Sequence, residues 1–195
     1  EQEIVPIQMN GLTVDTDGCL RPGTSAEDLA GLKLAFDENG SVTAGTSSPL
    51  TDGAAATLVC SEAYAQKNGL EPIARIKSIA VSGCKPETMG LGPIFASRKA
   101  LDRAELSADA IDVVEINEAF ATQSIASVRD LDLDIDKVNI DGGAIAIGHP
   151  LGATGARITG KAAQILKREG GRYALSTQCI GGGQGIATVM ETVGA

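Results

Sequence analysis

From about residue 51 onward, apolar runs that predict β-strands alternate with amphipathic stretches that predict α-helices. The candidate strands are 54–60, 72–82, 111–116, 138–140, 173–179 and 185–190, and the candidate helices are 61–69, 93–104, 117–130 and 150–168. Strands that alternate with helices form a mostly parallel sheet with helices on both faces. A short glycine-rich turn joins the last two strands, so we expect the final strand to run antiparallel to its neighbour.

The first 47 residues lack this pattern. They are rich in turn-forming residues and contain too few apolar residues to fold alone. The sequence begins at Glu1 rather than at a methionine, which suggests a chain that was processed, engineered or cut from a longer one.

Composition and charge exclude several functions. The formal net charge of −9 argues against nucleic acid as the main partner, because phosphate binding requires a basic face. No uninterrupted apolar run reaches the roughly 18 residues of a membrane span. The four cysteines form no C-x-x-C pair, and a single histidine does not complete a zinc site with them, so we expect no metal. Unpaired cysteines favour a reducing compartment, either cytoplasm or an organelle matrix.

His149 is the only histidine of the 195 residues, and it lies between Gly148 and Pro150 at the predicted start of a helix. A turn built from glycine and proline fixes the backbone and leaves the imidazole free to point at a ligand. A histidine satisfied within the core is the alternative for this residue taken alone.

Two further polar groups follow predicted strands. Asn117 comes directly after the strand at 111–116, and Cys179 ends the strand at 173–179 and opens a turn of three glycines, Gly181 to Gly183. The carboxyl ends of parallel strands lie on one edge of a sheet, so we expect Asn117, His149 and Cys179 to converge there. An imidazole, a thiol and free backbone amides suit chemistry on a thioester or ester carbonyl. The alternative for Asn117 is that it only caps the helix at 117–130.

The helix after His149 is rich in glycine and alanine, and it carries almost no charge before Lys161. Each interior glycine costs a helix roughly 1 kcal/mol, which sequences tolerate where another backbone comes close. This helix therefore packs either tightly on its own sheet or against a second layer that the chain does not supply.

Five blocks, in order, resemble the thiolase family over essentially the whole chain. They are Thr43 to Ser48 with Asp52 to Ala55, Met89 to Pro93, Asn117 to Phe120, Gly142 to Gly155, and Cys179 to Gly185. The resemblance implies the thiolase C-terminal domain, with a mixed, mostly parallel five-stranded sheet. The form Thr46-Ser47-Ser48 is similar to the degradative branch that serves fatty-acid β-oxidation.

The same resemblance implies roles for individual residues. His149 would bind the thioester oxygen and activate a nucleophilic cysteine, and Cys179 would be the acid and base that protonates the departing acetyl-CoA enolate. Asn117 would hold a water that forms one oxyanion hole with His149, and the amide of Gly181 would contribute to a second. Three further residues match positions near the pantetheine and acyl groups, namely Ser48, Met89 and Phe120.

Thiolases also need a nucleophilic cysteine, which lies in the N-terminal half, and no cysteine here matches its motif. The resemblance thus divides the chain into 1–47, a remainder of the loop domain and linker, and 48–195, the C-terminal α/β domain. The implied activity is acyl transfer by thiolytic cleavage of a 3-ketoacyl-CoA, with CoA as a substrate and no cofactor. We expect the isolated chain to be inactive, to require an N-terminal half as its partner, and to be a homo-oligomer when complete.

Three other functions remain open. A biosynthetic acetyl-CoA acetyltransferase would differ from the degradative enzyme in its acyl-chain preference. A thiolase-like domain that only binds acyl-CoA or a protein partner would not need Asn117, His149 and Cys179 together. A ketoacyl synthase relative shares the fold, but the Cys179 turn argues against it.

Overall fold

A computed structural model describes residues 3–193. Its strands are β1 (Ile7–Met9), β2 (Leu12–Val14), β3 (Ala74–Gly83), β4 (Val113–Ile116), β5 (Tyr173–Ile180) and β6 (Gln184–Thr192). Its α-helices are α1 (Ala26–Ala30), α2 (Glu62–Lys67), α3 (Gly92–Ala104), α4 (Ala121–Asp130), α5 (Ala144–Ile147) and α6 (Thr154–Glu169). None of the helices within residues 3–193 is both long and apolar enough to cross a membrane.

One mixed sheet holds the second half of the chain together. Its strand order is β3–β6–β5–β4, with β4 and β5 parallel and β6 antiparallel to both of its neighbours. Three strands therefore run in one direction, and the last strand of the chain runs against them. This confirms the predicted α/β class and the antiparallel final strand.

The predicted strand at 138–140 is reduced to a single bridge. Val138 pairs in parallel with Val114 at the outer side of β4, and the sheet proper has four strands rather than five. The next residue, Asn139, has a left-handed backbone with φ of 48°, which an extended strand does not accommodate. The Asn139 side chain takes over the pairing, because it accepts from the Ile116 N–H and donates to the Ile116 carbonyl.

The strand predicted at 54–60 is wrong. The segment has no regular secondary structure and its residues are exposed, with Leu58 at 75% and Val59 at 70%. An apolar run forms a strand only where a neighbouring strand offers backbone hydrogen bonds. No strand within residues 3–193 pairs with this segment. Thr57 instead lies close to Gly160 of α6.

Helices cover both faces of the sheet, as predicted. On one face α3 packs against β3 and β6, and its buried residues Ile94, Ala100 and Leu101 join Leu175 and Val189 of the strands. On the other face α6 packs over β4 and β5 through a smaller apolar cluster that includes Ala162, Ile165 and Leu166. The carboxyl ends of β4 and β5 thus meet the first turn of α6 at one edge, where the candidate site lies.

Candidate active site

Asn117 lies directly after β4 and is completely buried. Its backbone N–H donates to the carbonyl of Thr177 on β5 at 3.0 Å, which fixes it against the neighbouring parallel strand. Helix α4 begins only at Ala121, with Phe120 as the N-cap residue and no side-chain cap. The predicted helix start at Asn117 is therefore wrong, and the alternative in which Asn117 merely caps that helix is excluded.

The Asn117 carboxamide contacts the imidazole of His149, with 3.3 Å between Nδ2 and Nε2. On the opposite side of the ring, Nδ1 lies 2.7 Å from the hydroxyl oxygen of Thr154. Both ring nitrogens are therefore engaged, and the imidazole is half-buried at the sheet edge. Burial lowers the pKa of His149 below its ordinary value, and the nearby Arg157 cation lowers the pKa further.

The turn that delivers His149 depends on Gly148. Its φ of 91° and ψ of 169° lie in a region that only glycine adopts readily. A Cβ atom at this position would also collide with the Thr51 side chain. The backbone can reverse here, between α5 and the first turn of α6, only because Gly148 has no side chain.

Glu118 and Asn139 support the site, and the sequence did not single them out for it. The Glu118 carboxylate accepts from the Asn139 side chain at 2.7 Å and from the Ile145 backbone N–H at 3.1 Å. These bonds tie the loop before α5 to the residue that follows Asn117. The only signal in the sequence is that Glu118 belongs to the block Asn117 to Phe120, because its partners lie more than 20 residues away.

Cys179 occupies the next-to-last position of β5, opposite Gly185 of β6. The turn that follows uses Gly182 and Gly183, both with positive φ, and Gly181 is exposed in it. Burial raises the pKa of the Cys179 thiol above its ordinary value, and the thiol of Cys84 nearby adds to the increase. The thiol is therefore protonated at neutral pH.

Cys179 shares the sheet edge with Asn117 and His149 without bonding to them. The register pairs Ile116 with Thr177, so Asn117 and Cys179 lie near the ends of adjacent parallel strands. Among the residues that the structure describes, no hydrogen bond joins Cys179 to Asn117 or His149. The structure thus brings Asn117 and His149 into contact and places Cys179 on the neighbouring strand.

Met89 and Phe120 line one groove of about 410 Å³, together with Phe36 and Gly90. The Phe36 and Phe120 rings meet edge to face, with 6.2 Å between their centroids. Ser48 is not among the residues that line the groove. It lies beside it, where its N–H donates to the carbonyl of Ala119 at 3.1 Å.

A buried ion pair lies beneath α6 on the same face of the sheet as Asn117. Glu115 is completely buried on β4, and its Oε2 is 3.7 Å from Nη1 of Arg157 on α6. Burial raises the pKa of Glu115 to about 7, although the cations of Arg157 and Lys161 oppose the increase. Neither residue was predicted, because an apolar strand pattern gives no indication which partner a charged residue within it will meet.

Two family models match the chain. The model described as thiolase, C-terminal domain, matches residues 70–192, and the model described as thiolase, N-terminal domain, matches residues 1–63. The 3-ketoacyl-CoA thiolase of Alcanivorax borkumensis is 52% identical over 99% of this chain and 52% of the relative. The acetyl-CoA acetyltransferase of Shinella zoogloeoides is 50% identical over 99% of this chain and 50% of the relative.

A solved structure agrees with these matches. The crystal structure of human mitochondrial 3-ketoacyl-CoA thiolase in complex with CoA superposes with a TM-score of 0.89 and 44% sequence identity. The alignment covers 96% of this chain and 48% of the human one. The chain therefore spans about half the length of the proteins it matches.

Proposed function

Because the chain belongs to the thiolase family, we propose that it supplies the C-terminal half of a 3-ketoacyl-CoA thiolase. The reaction is thiolytic cleavage of a 3-ketoacyl-CoA by CoA, which yields an acyl-CoA and acetyl-CoA. The contact between Asn117 and His149 at the carboxyl edge of the sheet carries the proposal. A domain that only bound a partner would not need a buried carboxamide against a half-buried imidazole.

In the proposed reaction a cysteine of the N-terminal half gives its proton to His149 and attacks the 3-keto carbon, and the C2–C3 bond breaks. The electron pair of that bond becomes the enolate of acetyl-CoA, and the Cys179 thiol protonates its carbon. The CoA thiol then gives its proton to the Cys179 thiolate and attacks the acyl thioester, which forms the acyl-CoA and releases the cysteine thiolate to take its proton back from His149. A thiol whose pKa is raised by burial suits the first of these transfers.

The enolate oxygen needs hydrogen-bond donors at the moment it becomes negative. We assign this task to Nε2 of His149 and to a water held by Asn117, with the Gly181 amide serving the second oxyanion. The Oδ1 atom of Asn117 is buried and has no hydrogen-bond partner within the described residues, so it is available to a water. Met89 and Phe120 would border the acyl or pantetheine chain in the groove, with Ser48 beside them.

CoA is the proposed second substrate, supported by the human relative that was solved with CoA. The four free cysteines support a reducing compartment, which we propose is the cytoplasm or an organelle matrix. The proposed domain division at residues 47 and 48 remains a prediction, and the two family-model matches change over between 63 and 70. Assembly as a homo-oligomer remains a prediction too.

A biosynthetic acetyl-CoA acetyltransferase is the second candidate. It is favoured by the Shinella zoogloeoides relative, which is 50% identical to the chain. The two functions differ in acyl-chain length, so rates with acetoacetyl-CoA and with a long-chain 3-ketoacyl-CoA separate them.

The missing N-terminal half is part of the proposal. It is supported by the length of the relatives and by apolar side chains that remain exposed, among them Leu50, Leu58, Val59 and Leu151. The test is thiolysis by the isolated chain and by a fusion of the chain to the N-terminal half of the Alcanivorax borkumensis relative. The fusion should turn over and the isolated chain should not, and turnover by the isolated chain at the rate of the fusion would overturn the proposed split.

Matched variants of the fusion test the named residues. Cys179→Ser and Asn117→Ala should each lower kcat by on the order of 10²-fold or more, because each removes a group that acts in the transition state. Cys60→Ser and Asn39→Ala change the same residue types at exposed positions and should leave the rate unchanged. A Cys179→Ser fusion as active as the Cys60→Ser fusion would refute the role of Cys179.

A further inference from the structure

Thr154, the first residue of α6, is completely buried and bonds in two directions. Its Oγ1 lies 2.7 Å from Nδ1 of His149 and 3.0 Å from the carbonyl oxygen of Pro150. The threonine hydroxyl is thus the link between the imidazole and the backbone of the turn that carries it.

The carbonyl of Pro150 decides where the hydroxyl hydrogen lies. A carbonyl oxygen only accepts, and two oxygens 3.0 Å apart repel one another unless a hydrogen lies between them. The Thr154 hydroxyl therefore donates to Pro150, as threonine hydroxyls in helices often donate to the carbonyl four residues before. Having used its one hydrogen, the hydroxyl can only accept from Nδ1 of His149.

The other side of the ring agrees with this assignment. If Nδ1 carries the hydrogen of the neutral imidazole, Nε2 has a free lone pair. The Asn117 amide nitrogen, 3.3 Å away, donates to that lone pair. With Asn117 held this way, its Oδ1 points away from the ring and stays free for a water.

We propose that Thr154 is a positioning residue that holds neutral His149 in the Nδ1–H form, so that Nε2 is its basic nitrogen. When the thiol of an incoming cysteine nucleophile replaces the Asn117 amide at that lone pair, Nε2 accepts the thiol proton and a thiolate is left. The resulting imidazolium presents an Nε2–H to the substrate oxygen. This consequence for catalysis rests on the proposed function, whereas the tautomer itself does not.

The chain offers a direct spectroscopic test, because His149 is its only histidine. A long-range ¹H–¹⁵N correlation spectrum of the 195-residue chain, recorded above the pKa of His149, reports a single imidazole. We expect Nδ1 at the protonated position and Nε2 at the unprotonated position. A wild-type spectrum with the hydrogen on Nε2 would overturn the proposal by itself.

Two variants isolate the hydroxyl. Thr154→Val keeps the shape of the side chain and removes the hydroxyl, and it should move the hydrogen to Nε2, the form that free histidine prefers. Thr154→Ser keeps the hydroxyl and should give the wild-type spectrum. A Thr154→Val chain that stays folded by circular dichroism and retains the Nδ1–H form would overturn the proposal. If the Thr154→Val chain does not fold, the spectrum of Thr154→Ala replaces it, and the hydrogen is again expected on Nε2.

Kinetics of the fusion to the N-terminal half separate this proposal from the proposed function. Thr154→Val should lower kcat at least tenfold with little change in KM, and Thr154→Ser should restore it. A Thr154→Val fusion with wild-type kcat would refute the positioning role, whatever the tautomer. If no fusion turns over, the proposed function fails while the spectra still decide the tautomer.

Discussion

Glu115 and Arg157 face each other across the interior between β4 and α6, with 3.7 Å between Oε2 and Nη1. That distance exceeds a hydrogen bond, and neither carboxylate oxygen has a hydrogen-bond partner among residues 3–193. The cost of removing the carboxylate from water is therefore only partly offset by the cation. This is the physical reason why the pKa of Glu115 rises to about 7.

The raised pKa of Glu115 predicts how stability depends on pH. The folded state holds the proton more tightly than the unfolded state, whose carboxyl has its ordinary pKa of 4.5. The contribution to stability is thus fully present below about pH 4.5 and is lost as the pH rises through about 7. Its full size is on the order of 3 kcal/mol, by the conversion from a pKa difference to free energy.

Glu115→Gln tests this prediction, because glutamine keeps the shape and does not titrate. Urea denaturation of the 195-residue chain at several pH values between 5 and 8 should show a shallower fall in the free energy of unfolding for the variant. Glu71→Gln is the matched control on an exposed ion pair with Lys167 and should follow the wild type between pH 5 and 8. Equal slopes for Glu115→Gln and the wild type would refute the assignment.

Arg157 also acts on the imidazole of His149. Its cation lowers the pKa of His149, after burial, so removing the charge with Arg157→Gln should raise that pKa toward 6.5. Because the chain has one histidine, an NMR titration reports the His149 pKa directly. Arg98→Gln removes an arginine that pairs with Asp130 on the other face of the sheet and should leave the titration unchanged. A pKa that stays constant or falls in Arg157→Gln would contradict the prediction.

Gly148 and Gly152 form a matched pair around His149. Gly148→Ala places a Cβ in a backbone conformation that costs alanine about 1–3 kcal/mol, and it also drives that atom into Thr51. At Gly152 nothing lies within 4 Å of an added Cβ, so Gly152→Ala should change stability by less than about 1 kcal/mol. Urea denaturation of both variants measures the difference in the free energy of unfolding. Similar losses of stability in the two variants would show that the turn at position 148 accepts a Cβ without strain.

The sequence predicts the elements whose signals are local. The pattern of β5, the turn at Gly181 to Gly183 and the pattern of β6 all lie within 20 consecutive residues, and both strands formed as predicted. The segment 54–60 has an equally good strand pattern and forms no strand. A strand requires a neighbouring strand to pair with as well as an apolar pattern. The pattern does not show whether the fold places an unpaired strand edge beside the segment.

The same distinction holds for the site. Asn117 and His149 were predicted to converge because each follows a segment whose end the topology places at one sheet edge. Glu115, Glu118, Asn139 and Thr154 were not predicted for the site, because their roles depend on which polar atom lies opposite them in space. Asn139 is the clearest case. The sequence predicts a strand at 138–140, whereas in the structure the Asn139 side chain forms hydrogen bonds to the Ile116 backbone in place of that strand.

Asn139 supplies the last prediction, because its side chain forms hydrogen bonds to three groups, two of them buried. It accepts from the N–H of Ile116 and donates to the Ile116 carbonyl and the Glu118 carboxylate. Asn139→Ala leaves the Ile116 N–H without a partner and should lower the free energy of unfolding by about 2–4 kcal/mol. It should also weaken the hydrogen bonds that hold the end of β4 next to Asn117. Urea denaturation measures the loss.

The backbone of Asn139 requires its own control, since its φ of 48° strains any residue except glycine, asparagine and aspartate. Asn10 has a φ of 51° in the exposed turn between β1 and β2, so Asn10→Ala introduces the same strain without breaking buried bonds. Its cost should be about 1 kcal/mol. Asn139→Gly relieves the strain and should remain nearly as unstable as Asn139→Ala. If Asn139→Ala costs no more than Asn10→Ala, the buried hydrogen bonds do not stabilise this edge of the sheet, and the placement of Asn117 must come from its pairing with Thr177 alone.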